Sequence, residues 1–159
     1  MSSDNRVTIQ ELWADEQCPI INGIIFGDGI IKRFRLVRDN SQEGAIINLI
    51  LETQTTVIDF LSQKPNNLTT LVQLCEKNVS EKHLRLIAGE GGWGGDGFVA
   101  IENKETKALE FLLFFDNSNP FVEIDFDESR VIAVSNLGER WIIPIEEPEN
   151  TVIFASATK

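Results

Sequence analysis

Short apolar segments separated by turn-forming residues fill the second half of this chain, and they constrain its fold more than any other feature. Five segments have the composition of β-strands: residues 98–102, 109–115, 121–126, 130–135 and 141–145. The connectors between them are rich in Asn, Asp, Ser, Glu and Gly and have the lengths typical of hairpins. The pattern predicts a C-terminal β-meander, to which residues 152–155 add one more strand.

The segment at residues 109–115 is apolar on nearly both faces, which predicts a strand at the centre of the sheet with helices covering one side. Pro144 lacks an N–H group for a ladder hydrogen bond, so its strand is expected at a sheet edge.

The first half of the chain also contains strand signals. Two β-branched runs, residues 20–26 and 30–37, flank the turn formed by residues 27–29 and predict a hairpin. A polar turn at residues 39–44 leads to residues 45–51, whose apolar run is interrupted by Asn48. Such a run predicts a strand that is covered on both faces.

Two capping boxes predict short helices. Thr8 is followed three residues later by Glu11, and this predicts a helix through about Trp13. Thr56 with Asp59 predicts a second brief helix, which a proline at position 65 should end.

A further helix is predicted after residues 66–67. Five apolar residues there have helical spacing and would form one core-facing stripe: Leu68, Leu71, Val72, Cys75 and Val79. Within that stripe, Cys75 is interpreted as a small buried hydrophobe.

Taken together, the patterns predict one α+β domain over residues 1–159, with a mostly antiparallel twisted sheet and two or three short helices. A chain of 159 residues is long enough to bury about 70% of the surface that its unfolded form exposes. The two cysteines, Cys18 and Cys75, are too few and too far apart for a zinc knuckle or a redox pair. With no visible secretory signal and no run long enough to span a bilayer, the expected location is cytoplasmic and no membrane partner is expected.

The net charge of −11 is unevenly distributed along the chain. Residues 89–159 carry 14 acids and 5 bases, a balance of −9, whereas residues 1–88 carry 11 acids and 9 bases, a balance of −2. An acidic half repels phosphate backbones, so nucleic acid is not an expected partner and a basic protein is. Four bases between positions 32 and 38 are interpreted as a solvated strand face.

The glycine-rich run at residues 89–97 is a candidate loop for ligand binding. It matches one copy of a calcium-binding nonapeptide, but stacked copies are needed to share each ion. It also lacks the Lys-Ser/Thr of a phosphate-binding loop. No metal or cofactor is therefore predicted. The loop either brings Trp93 over the core or is ordered by a partner, and a ligand pocket lined by Trp93, Asp96 and Phe98 is the alternative.

Alternation along residues 121–127 predicts an acidic strand face. Glu123, Asp125 and Asp127 should lie on one face, opposite three apolar residues. Three interpretations are open: a solvated strand face, a recognition surface for a basic partner, and a metal or acid–base site.

No complete catalytic set is present, so no catalytic residue is assigned and the chain is interpreted as a binding protein rather than an enzyme. His83, the single histidine, has no Ser or Cys placed near it by a sequence motif.

The sequence therefore favours a non-enzymatic intracellular binding protein whose acidic C-terminal half meets a basic protein partner. Glu123, Asp125 and Asp127 would steer the encounter, and Trp93 would serve as an aromatic anchor. In size and acidity the chain is similar to bacterial immunity proteins, small acidic inhibitors of basic toxins, and this similarity is one of composition alone. The alternative is a small-molecule-binding or hydrolytic domain with its pocket under the loop at residues 89–97. A homo-oligomer joined through sheet edges is compatible with both.

Overall fold

A computed structural model of the protein describes residues 2–39 and 46–155. The helices are α1 (Ser2–Ala14) and α2 (Val57–Gln63), with short 3-10 helices at Ser80–Lys82 and Pro148–Asn150. The strands are β1 (Gln17–Pro19), β2 (Gly23–Phe26), β3 (Ile30–Asp39), β4 (Ile46–Thr56), β5 (Leu68–Thr70), β6 (Val72–Val79), β7 (Leu84–Glu90), β8 (Gly97–Asn103), β9 (Leu109–Phe115), β10 (Phe121–Asp127), β11 (Arg130–Ser135), β12 (Arg140–Pro144) and β13 (Val152–Phe154).

Eleven strands form one antiparallel sheet in the order β10-β11-β12-β13-β4-β3-β2-β9-β8-β7-β6, and β1 pairs with β5 in a separate two-stranded sheet. The predicted α+β class with a mostly antiparallel sheet is confirmed. All the predicted C-terminal strands are present, in two groups: β8 and β9 pair within one end of the sheet, whereas β10–β13 follow one another at the other end.

The large sheet curls until its two edge strands, β6 and β10, lie side by side. Lys77 Nζ of β6 is 3.3 Å from Asp125 Oδ1 of β10, and Cys75 Sγ is 3.9 Å from the Phe121 carbonyl oxygen. Within the described residues these two strands share no backbone ladder. We call this junction the seam, because side chains rather than backbone hydrogen bonds close the sheet there.

Two apolar clusters lie on opposite sides of the sheet. The first fills the space inside the curl and includes Trp141, and the second lies between the outer side of the sheet and the helices, where it includes Ile9 of α1 and Phe60 of α2. β9 contributes to both, since Phe111, Leu113 and Phe115 belong to the inner cluster and Leu109, Leu112 and Phe114 to the outer one. The prediction of a central strand with helices on one side is therefore confirmed.

The predicted hairpin and the second capped helix are also confirmed. β2 pairs with β3 across a turn in which Asp28 Oδ1 accepts a hydrogen bond from the backbone N–H of Ile30. Thr56 Oγ1 accepts a hydrogen bond from the Asp59 N–H at the start of α2, and that helix ends two residues before the proline.

The helix predicted over residues 68–79 is wrong, because that segment forms β5 and β6. The apolar spacing favours a helix, but the β-branched residues at 69, 70, 72 and 79 favour a strand. The ladder that β6 forms with β7 stabilises the strand. Cys75 is half-buried and packs against the inner cluster, so its interpretation as a small buried hydrophobe holds only in part.

The first helix starts earlier than predicted. α1 begins at Ser2, so Thr8 lies within the helix and does not cap it. The Gln10 side chain attaches α1 to the sheet. Its Nε2 donates to the carbonyl oxygens of Gly27 and Leu109, and its Oε1 accepts from the Leu109 N–H. None of the described helices is long and apolar enough to cross a membrane.

Two details of strand placement differ from the predictions. β4 is covered on one face only, since Ile47 and Leu49 are buried whereas Asn48 and Ile50 are exposed. Residues 40–45, which include most of the predicted turn, lie outside the described part of the chain.

β12 is an internal strand rather than an edge. Pro144 is tolerated there because it is the last residue of β12, beyond the three residues that pair with β13.

Candidate functional site

The three carboxylates predicted on one strand face are exposed on β10. Glu123, Asp125 and Asp127 point outward, and we call them the acidic stripe. Ile124 and Phe126 alternate with them and pack against the inner cluster. A register shift between positions 121 and 123 leaves the intervening valine exposed as well.

Two members of the acidic stripe have basic neighbours. Asp125 Oδ1 accepts a 2.8 Å hydrogen bond from the Phe126 N–H and lies 3.3 Å from Lys77 Nζ. These two contacts hold the pKa of Asp125 below its ordinary value. Asp127 Oδ2 is 3.4 Å from Arg130 Nη2, and Glu123 has no ion pair among the described residues. Glu123 is thus the carboxylate available to an external cation.

Glu123 also acts on the seam. Burial and, to a smaller extent, the negative charge of Glu123 together raise the pKa of the Cys75 thiol to about 11. A charge of the acidic stripe therefore acts on a side chain in the seam.

A buried carboxylate organises the glycine-rich loop between β7 and β8. Asp96 is 0% exposed, and its two oxygens accept hydrogen bonds from the N–H groups of Gly91, at 2.9 Å, and Trp93, at 3.4 Å. Gly92 N–H donates to Thr69 Oγ1, and Asn119 N–H donates to the Gly95 carbonyl. The second contact places the loop beside the chain that leads into β10.

Trp93 lies at the surface of this loop. Its exposed fraction is 75%, so the interpretation that the loop brings it over the core is wrong. The loop lies beside the start of β10, whereas Asp127 is at the far end of that strand, about 20 Å away for six residues in extended conformation. Trp93 and the acidic stripe consequently do not form a compact cluster.

The three residues of the predicted ligand pocket do not line a common cavity. Trp93 is exposed and Asp96 is fully buried, whereas Phe98 lines a cleft of ≈ 300 Å³ elsewhere. This cleft lies between the end of α1 and the outer side of β6–β8. Its apolar lining also includes Trp13, Ala14, Leu71 and Ile87.

A polar cluster that the sequence did not reveal borders the cleft. Glu102 is 6% exposed; its Oε2 accepts from Trp13 Nε1 at 2.9 Å and its Oε1 from Arg85 Nη1 at 3.1 Å. Arg85 also donates to Glu76 and Gln73. Burial alone would lower the pKa of the Arg85 guanidinium, but the hydrogen bonds and charges of Glu76 and Glu102 outweigh burial and raise it. The one available signal was an acid at the end of an otherwise apolar strand.

His83 lies at a left-handed position after a 3-10 helix, with φ of 56°. Its Nδ1 is 3.1 Å from Glu105 Oε2, and both side chains are exposed. Among the described residues, no group of three or more His, Cys, Asp or Glu side chains could hold a metal ion.

Comparison of the chain with models of known protein families, with curated protein sequences and with solved structures finds no match.

Proposed function

We propose that this protein is a non-enzymatic binding protein that presents the acidic stripe to a basic protein partner. The observation that carries the proposal is the exposure of three carboxylates on alternate positions of a sheet-edge strand. Such side chains are about 6.6 Å apart, and their combined field attracts a positive surface before contact is made. Trp93, which is exposed on the loop beside the start of β10, is the proposed aromatic anchor.

The test is the association rate of the protein with a partner recovered from the native host by affinity capture. The double variant Glu123→Lys, Asp127→Lys is expected to slow association at least about tenfold at low salt, because steering by opposite charges acts mainly on the encounter. The slowing should shrink as salt is added.

The matched control is Glu11→Lys with Asp15→Lys, which makes the same change in net charge at exposed positions of α1 and just after it. The proposal requires this control to retain most of the wild-type rate. Equal slowing by the two double variants, or none by either, would show that the acidic stripe does not guide binding.

A second candidate function, binding of a small molecule, is favoured by the cleft beside α1. Its apolar lining with a fixed Arg85–Glu102 pair suits a ligand that has an apolar body and one polar group. A screen of metabolites by thermal shift tests this, with Gln73→Ala expected to abolish any stabilisation. A screen in which no compound raises the melting temperature would exclude the candidate.

A further inference from the structure

The outer side of the sheet next to the acidic stripe presents an apolar surface. Directly paired residues of an antiparallel ladder share one face, so the register identifies this surface strand by strand. Asp125 is opposite Ile132, which is opposite Ile142, which is opposite Val152. A neighbouring row starts with Glu123 opposite Val134 and continues through Arg140 to Phe154 and Ile46.

Six apolar side chains in these two rows are only partly buried. We call them the outer apolar face: Ile46, Ile132, Val134, Ile142, Val152 and Phe154. None of the six belongs to, or packs against, either apolar cluster of the described residues. Their inward-facing neighbours, such as Val131 and Ile153, are fully buried in the inner cluster.

The helices lie on another part of the sheet. α1 and α2 join the outer cluster with residues of β2, β3, β7, β8 and β9, and that cluster contains no residue of β10–β13. The helices therefore cover one part of the outer side of the sheet and leave the outer apolar face uncovered. A partly exposed apolar patch that is bordered by charge and has no helix packed on it is typical of a protein-binding surface.

The acidic stripe and the outer apolar face are continuous. Five strands, from β10 to β4, span about 19 Å at an interstrand spacing of about 4.8 Å, and the two paired rows, which lie two residues apart, cover roughly 13 Å along the strands. This footprint, on the order of 250 Å², is about a third of what one partner contributes to a standard interface. Residues around its rim, including the acidic stripe, are needed to complete an interface.

Charge selects the occupant of this surface. A second copy of the chain would also carry a net charge of −11, so two copies repel one another at neutral pH. A basic protein is attracted instead, and its positive groups are expected over β10, where the carboxylates lie. They are not expected over β12, because Arg140 lies there with its guanidinium carbon 5.4 Å from the centre of the Phe154 ring.

We infer that the outer apolar face and the acidic stripe form one interface, on which a basic partner protein packs an apolar patch while its positive rim meets β10. This inference rests on the proposed function and extends it, since the acidic stripe supplies the encounter and the apolar face supplies the buried contact. Apolar contacts at the centre and charges at the rim are the usual anatomy of such interfaces.

The experiment is photo-cross-linking of the full chain in its native host. Ile142→p-benzoylphenylalanine probes the face, Glu123→p-benzoylphenylalanine probes the stripe, and Val7→p-benzoylphenylalanine is the control, since Val7 is 53% exposed on α1. The expected result is one basic protein attached at both 142 and 123 and absent at 7. Combining Ile142→Glu with the probe at 123 should lower the yield at least tenfold, whereas Val7→Glu should not. Val152 provides a second position on the face if the protein substituted at 142 does not fold.

Each other outcome counts against the inference. An adduct at 123 without one at 142 or 152 would remove the apolar face from the interface and leave the proposed function standing. An adduct at 142 without one at 123 would separate the face from the stripe, and an adduct between two copies of the chain would replace the basic partner with a dimer. Adducts to proteins that are not basic would contradict the charge argument, and no adduct at any of these positions would overturn both proposals.

Discussion

The Asp96 carboxylate holds together a loop that has few other means of order. Six glycines occupy residues 89–97, and glycine loses more conformational freedom on folding than any other residue. Asp96 offsets this cost by accepting hydrogen bonds from two loop N–H groups while remaining fully enclosed. A buried acceptor with two donors therefore fixes the position of Trp93.

Asp96→Ala is expected to lower the free energy of unfolding by about 2–3 kcal/mol, because it leaves buried N–H groups without an acceptor. Asp96→Asn keeps one acceptor oxygen and should cost less. Urea denaturation followed by tryptophan fluorescence measures both variants. A loss below about 0.5 kcal/mol for the alanine variant would show that these hydrogen bonds contribute little.

The reactivity of the Cys75 thiol is a measure of its burial in the seam. Because its pKa is raised from 9.0 to about 11, its thiolate fraction at pH 8 should be about 100-fold below that of an ordinary thiol. Alkylation by iodoacetamide, followed peptide by peptide in a mass spectrometer, should be slowed accordingly. Glu123→Gln removes the second cause of the shift and should speed the reaction, with Glu81→Gln as an exposed control.

The same shift has a definite sign in stability. A thiol whose pKa is raised on folding stabilises the folded state while it stays protonated. That contribution is complete below the ordinary pKa of 9.0 and is lost as pH rises through about 11. Equal alkylation rates in the folded and the denatured protein at pH 8 would contradict both expectations.

At the scale of elements, β13 joins the two halves of the large sheet. It pairs with β12 on one side and with β4 on the other, so it connects β10–β12 to the strands from the first half of the chain. Its middle residue, Ile153, is fully buried in the inner cluster, whereas Val152 is on the outer apolar face.

Ile153→Ala is expected to cost about 2–5 kcal/mol of unfolding free energy, because it leaves a cavity where both halves of the sheet meet. Val152→Ala, which truncates a partly exposed neighbour on the same strand, should cost well under half as much and is the matched control. Chemical denaturation measures both. Similar losses of unfolding free energy for the two variants would show that the inner and outer side chains of β13 contribute equally to stability.

Local patterns predicted the elements that local chemistry determines. The turn between β2 and β3, the Thr56 cap and the alternation on β10 all depend on neighbours within a few residues, and the structure confirms them except at Val122, which a register shift leaves exposed. The apolar spacing in residues 68–79 predicts a helix, whereas the structure forms β6 there, because pairing with β7 outweighs that spacing. The local patterns do not predict the outer apolar face, since it arises from the pairing of residues 46–48 with residues 152–154, which are about one hundred residues apart along the chain, and from the β11–β12–β13 ladder beside them.

At the scale of the whole molecule, excess negative charge opposes self-association. The net charge of −11 falls to zero near pH 4.5, and the repulsion that separates two copies then disappears. Asp125 should remain ionised to lower pH than an ordinary aspartate, because its pKa is lowered on folding. Its stabilising contribution is present above the unfolded pKa and is lost as pH falls through the folded value.

Light scattering is expected to increase as the pH is lowered from 7 to about 4.5, through contacts of the outer apolar face. Ile142→Lys should reduce this increase more than Val7→Lys, which adds the same charge on α1. Equal effects of the two variants would show that association at low pH depends on charge alone.

The position of β13 also has a consequence for biosynthesis. β4 emerges from the ribosome about one hundred residues before β13, the strand that pairs with it. Until residues 152–154 have been made, the free edge of β4 has no native neighbour there, and the nascent chain must remain unpaired at this position or bind a chaperone. Completion of the sheet is therefore expected to follow translation of nearly the whole described chain.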